Sequence, residues 1–188
     1  GTANEDATSW SFTLRDGVTF SDGAPFTTED FRFWWEDVAN HEQLRPTGPP
    51  RELLIDGEPP TVEIIDERTV RYSWSKPNPF FLPALAGARP LFIYQPSHYL
   101  KQFHQRYADP DELARLVEAD RARDWAQLYG RRDDMYYFDN PDLPTLQPWV
   151  IETGWEMSVS TPPRLSASAH SSTAPRSFFA RASEPMSK

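Results

Sequence analysis

Residues 10–31 read Trp10-Ser-Phe-Thr-Leu-Arg-Asp-Gly-Val-Thr-Phe-Ser-Asp-Gly-Ala-Pro-Phe-Thr-Thr-Glu-Asp-Phe31, and more of the architecture follows from this run than from any other. Trp10, Phe12 and Leu14 alternate with Ser11, Thr13 and Arg15, the period of a half-buried strand over 10–15. Asp16-Gly17 and Ser21-Asp22-Gly23 are turn signals, and Val18 and Phe20 alternate between them. Thr27 suits a helix N-cap, and Asp30 three residues on makes a variant of the capping box. Glu29 and Asp30 also suit the positive end of the helix dipole. The helix is predicted over about 28–39, because Phe31, Trp34, Trp35 and Val38 share one face. Phe33 lies ~200° from Phe31 around the axis, on the opposite side of the helix. It reads first as packed in the core or against another lobe and second, if exposed, as lining a cleft and touching a ligand.

Beyond this run, residues 40–60 carry Pro46, Pro49, Pro50, Pro59 and Pro60 and read as a long surface loop. Val62–Ile64 and Val70–Trp74 flank the polar turn Asp66-Glu67-Arg68, a hairpin over 62–74. A short apolar helix is predicted around Phe80–Ala86, and a short buried strand over Leu91–Tyr94. Ser97 caps a helix to about Tyr107, Asp109 or Asp111 starts another, and a third runs near Asp124–Tyr129. Trp10, Phe12, Leu14, Trp35, Val70 and Tyr72 are the expected buried residues. Strands and helices mix without a clean βαβ series, so the fold class is α/β or α+β.

The chain has 188 residues, enough for one ordinary domain. Its aromatic content of 14% excludes wholesale disorder. The net charge of −9 makes nucleic acid a poor partner, since phosphate binding needs clustered cations. No apolar run reaches membrane-spanning length. Cysteine is absent, which excludes disulfides, thiolate metal sites and Cys nucleophiles. The chain starts Gly1-Thr2-Ala3 without Met or an apolar leader and is expected to be a processed chain or an internal fragment. Composition shifts near residue 157. Of residues 158–188, 20 of 31 are Ser, Ala, Pro or Thr, and this tail is expected to be disordered. The organisation is therefore 1–157 as a folded body and 158–188 as a tail.

Catalytic patterns are missing. No phosphate loop and no GxSxG nucleophile elbow occurs, which leaves a hydrolase without a nucleophile. His98 and His104 stand ~240° apart on the predicted helix, unlike an i, i+4 metal pair, and read as solvated. Asp66-Glu67, Asp133-Asp134 and Asp109-x-Asp111 read as solvated turns and helix starts, and no carboxylate is marked as buried beside an exposed one. No catalytic residue, metal site or cofactor is expected. Tyr94 and Trp149 lie at element ends beside proline-rich turns, where binding residues often sit. With Phe33 they are the candidate ligand-binding residues.

The opening run resembles the signature of the family 5 extracellular solute-binding proteins of ABC transporters, the oligopeptide, dipeptide and nickel group. Trp10, Phe12, Leu14, Arg15, Gly17, Val18, Phe20, Asp22, Gly23, Pro25, Phe26, Thr27 and Asp30 match its pattern, and Thr28 replaces the usual Ala. Asp66, Thr69, Val70 and Tyr72 are similar to the family's hairpin. Pro77, Pro79, Phe80 and Phe81 resemble the next segment, and Leu91–Tyr94 with Pro96 a later one. Residues 103–139 and Leu143–Trp149 resemble a longer subgroup. The resemblance spans roughly 10–157.

It implies a mixed α/β subdomain of a two-lobed, type II periplasmic-binding-protein-like fold, here incomplete. It implies a non-enzymatic role: capturing peptides or related small solutes outside the cytoplasmic membrane, and handing them to an ABC permease. The full-length protein would be periplasmic or extracellular, membrane-anchored or free. Family members are far longer, and their "E-R-N-P" segment is missing after Trp149, so the chain is expected to be truncated, with a tail resembling a frameshifted or mis-spliced end. Such a fragment is expected to bind solutes weakly or not at all. The rival reading is a stand-alone interaction module built on the same subdomain.

Overall fold

In a computed structural model, residues 1–87, 90–134 and 140–146 are described. The tail 158–188 and Trp149 lie outside them. Four antiparallel strands form one sheet: β1 (Thr2–Ala3), β2 (Ser9–Thr13), β3 (Thr61–Ile64) and β4 (Thr69–Ser73), ordered β1-β2-β4-β3. The alternation anticipated in the sequence sets the register. Trp10 faces Tyr72 and Phe12 faces Val70 on the inner side, while Ser9 faces Ser73 and Ser11 faces Arg71 on the outer side. Hydroxyl side chains and the Arg71–Glu63 pair therefore meet water, and the apolar set meets the core. β1 has no counterpart in the sequence reading.

α2 (Phe81–Ala86) covers the inner face. The Phe81 ring packs against Phe12, Tyr72 and Trp74 with centroids 5.9, 5.3 and 4.8 Å apart. Trp74 donates its indole N–H to the Leu53 carbonyl at 2.7 Å. That bond draws the proline-rich loop inward, so Leu53 is fully buried within a short 3-10 turn, Arg51–Leu53. Val70 and Tyr72 are fully buried, while Trp10, Phe12, Leu14 and Trp35 are partly buried against the same core.

Tyr72 also carries a cost. Its hydroxyl is buried with no hydrogen-bond partner among the described residues, and burial pushes its pKa up. An unpartnered buried hydroxyl destabilises by about 1–3 kcal/mol. Tyr72→Phe is therefore expected to stabilise the protein by about 0.5–1.5 kcal/mol in urea unfolding, allowing for the small void left behind. A loss above ~1 kcal/mol would mean that the hydroxyl is bonded after all.

The first helix starts where expected. Thr27 and Asp30 form a capping box, with the Thr27 N–H donating to Asp30 Oδ2 at 2.9 Å. Gly17 and Gly23 take φ of +71° and +88° at the two turns before it, a region open to glycine at little strain. Val18–Phe20 forms no strand, only a bridge between Thr19 and Pro25. α1 runs Thr28–Phe33 and continues as a π-helical stretch, Trp34–Ala39. The bounds match the prediction and the second half differs in winding. Asn40 closes the wide turn by donating its side-chain amide to the Trp35 carbonyl at 2.7 Å.

The remaining helices lie C-terminal. α3 (Ser97–Leu100) runs directly into a 3-10 turn, Lys101–Phe103, shorter than predicted and capped by Pro96 rather than Ser97. α4 (Pro110–Ala119) is capped by Asp109, whose side chain accepts from the Asp111 and Glu112 N–H groups. α5 (Trp125–Asp133) is capped by Asp124. Arg32 grips Glu29 through two bonds of 2.7 and 2.6 Å and, with Lys101, holds that carboxyl down to about 2. Lys101 reaches Glu29 at 2.6 Å, tying α1 to the segment after α3. Among the described residues, no helix is long and apolar enough to cross a membrane.

Candidate functional site

Residues 90–96 belong to no helix and no sheet, so the strand predicted over Leu91–Tyr94 is not one. Among the described residues no strand pairs with the segment. It is held instead by bonds to helices: Leu91 N–H to the Ala84 carbonyl (2.8 Å), Gln95 N–H to the Asp30 carbonyl (3.2 Å) and Ser97 N–H to Asp30 Oδ1 (3.0 Å). Asp30 is 2% exposed. Burial raises its pKa, against the opposing pull of the Thr27 and Ser97 N–H groups.

Two concavities flank this segment. One, of roughly 420 Å³, is almost wholly apolar, with Phe12, Phe26, Phe31, Leu85 and Leu91 in its walls. The other, of roughly 470 Å³, mixes aromatic and polar groups: Trp34, Arg45, Phe92, Tyr94, Gln95 and Asp133, with residues 143–146 as a further wall. That wall is pinned by a reciprocal pair of bonds, Ser21 N–H to the Thr145 carbonyl (2.8 Å) and Thr145 N–H to Ser21 Oγ (3.1 Å). The larger cavity falls within the ~300–1,000 Å³ of small-molecule sites and has their mix of apolar walls and a few polar groups.

Tyr94 lies on the divide and lines both concavities. Its ring packs 4.9 Å from Phe26, 5.8 Å from Phe31 and 6.0 Å from Phe92, and burial raises its hydroxyl pKa.

Phe33 takes the core reading rather than the cleft one. It is fully buried, with its ring centroid 5.9 Å from those of both His104 and Tyr107. The first helix contacts β3, β4 and α3, and Phe31 and Phe33, ~200° apart around it, are both buried. Phe33 therefore does not share a surface with Tyr94. Trp149, the third candidate, lies outside the described residues.

His98 and His104 part company. His98 is surface-placed and meets Asp22 at 2.8 Å. His104 is 1% exposed and sits among Phe33, His41, Trp125 and Tyr129, against the expectation of a solvated residue. Its Nε2 donates to the Asp37 carbonyl at 3.0 Å and its Nδ1 accepts from the Arg106 N–H at 3.3 Å. Those bonds fit the neutral ring, and burial pushes its pKa down. Among the described residues, no group of three or more metal-ligating side chains converges.

The carboxylates are corrected as well. Asp30 and Asp37 are each 2% exposed. Asp133, expected in a solvated turn, instead lines the larger cavity. Its side chain is 21% exposed, and burial pushes its pKa up to about 6. The sequence reading missed Arg45, Phe92, Gln95 and Asp133. The one available signal was Gln95, a polar residue ending an apolar run directly before a proline.

The sequence model of the family described as "Bacterial extracellular solute-binding proteins, family 5 Middle" matches residues 1–141. The periplasmic alpha-galactoside-binding protein of Rhizobium meliloti is 34% identical over 106 residues, 56% of this chain and 15% of that protein. The probable D,D-dipeptide-binding periplasmic protein DdpA of Escherichia coli K12 is 34% identical over 85 residues, 45% of this chain and 15% of that protein. A solved structure of the oligopeptide-binding protein OppA superposes with a TM-score of 0.64 at 30% identity, covering 87% of this chain and 23% of that one. The chain thus spans less than a quarter of the length of each.

Proposed function

Since the chain belongs to the bacterial extracellular solute-binding proteins of family 5, we propose that it supplies one solute-facing wall of the capture component of an ABC importer, and that the solute is a peptide or a related small molecule. The role is binding, not catalysis, outside the cytoplasmic membrane, with a permease as the downstream partner. One observation carries this reading beyond family membership. The segment 90–96 presents Phe92 and Tyr94 to an open, mixed-polarity cavity of roughly 470 Å³. Flat aromatic surface with few polar groups suits peptides and sugars alike, and the relatives named above include binders of both.

A single wall leaves much of a ligand in water, against the ~70–90% burial typical of complete sites, while the cost of immobilising the ligand remains. Titrating the 188-residue chain with a mixed di- to pentapeptide pool, followed by amide NMR and calorimetry, is therefore expected to give saturable binding weaker than ~100 μM, with shifts at Phe92, Tyr94 and Gln95. No shift at any cavity residue across the pool would sink the reading. Micromolar or tighter binding would indicate a complete site and favour the stand-alone module.

A further inference from the structure

One turn, residues 104–107, is fastened to a single residue at the end of the first helix. His104 Nε2 donates to the Asp37 carbonyl at 3.0 Å. Arg106 Nη1 donates to Asp37 Oδ1 at 2.7 Å, and the Tyr107 hydroxyl to Asp37 Oδ2 at 2.6 Å. Asp37 and His104 are buried, whereas Arg106 and Tyr107 are exposed, so only the histidine is sealed in, between Phe33, His41, Trp125 and Tyr129. Its partners fix where its proton sits. A carbonyl can only accept, so Nε2 carries the proton. The Arg106 backbone N–H can only donate, so Nδ1 is bare. The place of a second proton is taken by that N–H.

We propose that His104 is an acid-sensitive latch: neutral, it holds the 104–107 turn on the first helix, and a second proton on its ring frees that turn while the sheet stays folded. The inference is independent of the solute-capture reading above. A proton on Nδ1 would point at the Arg106 N–H, so one hydrogen bond is lost and two donors face each other. The new charge would also stand among aromatic rings, where it is costly unless paired. Among the described residues, the titratable groups facing the ring are Asp37 from the first helix, His41 from the loop after it, Arg106 and Tyr107 from its own turn, and Tyr129 from α5. Of these, the Asp37 carboxylate would attract an imidazolium, but Arg106, Tyr107 and Arg32 already engage it. Desolvation is the largest effect, and His41 and Arg106 add to it, so the ring holds its second proton less readily than the ordinary pKa of 6.5 implies. A histidine whose pKa is depressed by folding contributes stability that is full above its unfolded value. That stability is lost as pH falls from there through the folded pKa. The turn's outer side chains already meet water, so little packing resists its release.

Nitrogen–proton NMR of the imidazole rings in the 188-residue chain reads the latch directly. Near neutral pH, His104 is expected to carry its proton on Nε2, and on acidification its midpoint is expected below 6.5. As the ring titrates, hydrogen-exchange protection of the Arg106 amide should fall several-fold while the β2 and β4 amides keep theirs. His104→Gln retains a donor for the Asp37 carbonyl and has no proton to gain. Between about pH 7 and about pH 5, its unfolding constant in urea should therefore rise several-fold less than that of the unaltered chain. His41→Gln leaves the latch in place and should follow the unaltered chain. A neutral ring protonated on Nδ1, or a midpoint at or above 6.5, would overturn the proposal. So would an equal pH response in His104→Gln, or one abolished by His41→Gln instead. Loss of β2 and β4 protection in step with Arg106 would also overturn it, because the transition would then be global. If His104→Gln fails to fold, the ring titration and the exchange of the unaltered chain still decide.

Discussion

Phe33→Ala is expected to lower the free energy of unfolding by about 3–5 kcal/mol. Phe33 is fully buried, its ring is edged by His104 and Tyr107, and Lys101 Nζ lies 5.8 Å from its centroid. The void left by the substitution cannot close easily, because these neighbours are fixed elsewhere: His104 by the Asp37 carbonyl and Lys101 by Glu29. Domains of this size have only ~5–15 kcal/mol to lose, so the variant should melt far earlier in urea. Phe33→Leu keeps most of the volume and should cost under ~1.5 kcal/mol. The folded fraction of either variant should bind peptides as the unaltered chain does, because Phe33 lines neither concavity. A stability change below ~1 kcal/mol together with weakened peptide binding would reverse this assignment and make Phe33 a contact residue.

Asp30→Ala is expected to cost about 2–4 kcal/mol. The carboxylate accepts from two backbone N–H groups, those of Thr27 and Ser97. Thr27 can turn to water at the helix start, but Ser97 is 6% exposed and its N–H would be left buried and unpaired. The loss is also local, because the Ser97 bond is one of three anchors on the segment that carries Phe92 and Tyr94. Hydrogen exchange at the Ser97 amide should quicken by at least tenfold, and peptide affinity should fall along with it. Unaltered Ser97 exchange would show that the segment is held without Asp30. Asp30→Asn keeps one acceptor but places an amide against a donor, so it should restore less than half of the lost stability.

Much of this was legible in residues 10–31 and 61–74. There the structure is built from near-neighbour chemistry: two glycine turns, a threonine cap, and alternation that faces one side of one sheet. The helix start and the hairpin register follow from those residues alone. Legibility failed where a second layer intervened. A helical wheel predicts one buried face, and it could not decide between core and cleft for Phe33, which is buried in a helix that contacts α3 as well as β3 and β4. His104 and Asp133 read as solvated because their helices look polar in isolation, yet the elements around them converge on those two side chains. The Leu91–Tyr94 run had strand composition without a strand to pair with, and pairing is a property of the whole sheet. The candidate site itself was legible only at Tyr94. Arg45, Gln95 and Asp133 meet across 88 positions of sequence, a convergence that no local pattern announces.

The wide winding of Trp34–Ala39 has a consequence for the history of the chain. A π turn bonds each residue to the fifth along rather than the fourth, so it holds one residue more than an α turn would. Losing a single residue there can restore α winding without breaking the helix, and gaining one elsewhere in the helix can create the same widening. Insertions and deletions of one residue, which ruin most helices by rotating everything downstream through ~100°, are thus tolerated best at this point. When relatives are aligned to this chain, a one-residue gap between 34 and 39 is the natural place to absorb a difference in length. An ungapped alignment across it would pair Trp35 or Val38 with the wrong ancestral neighbour.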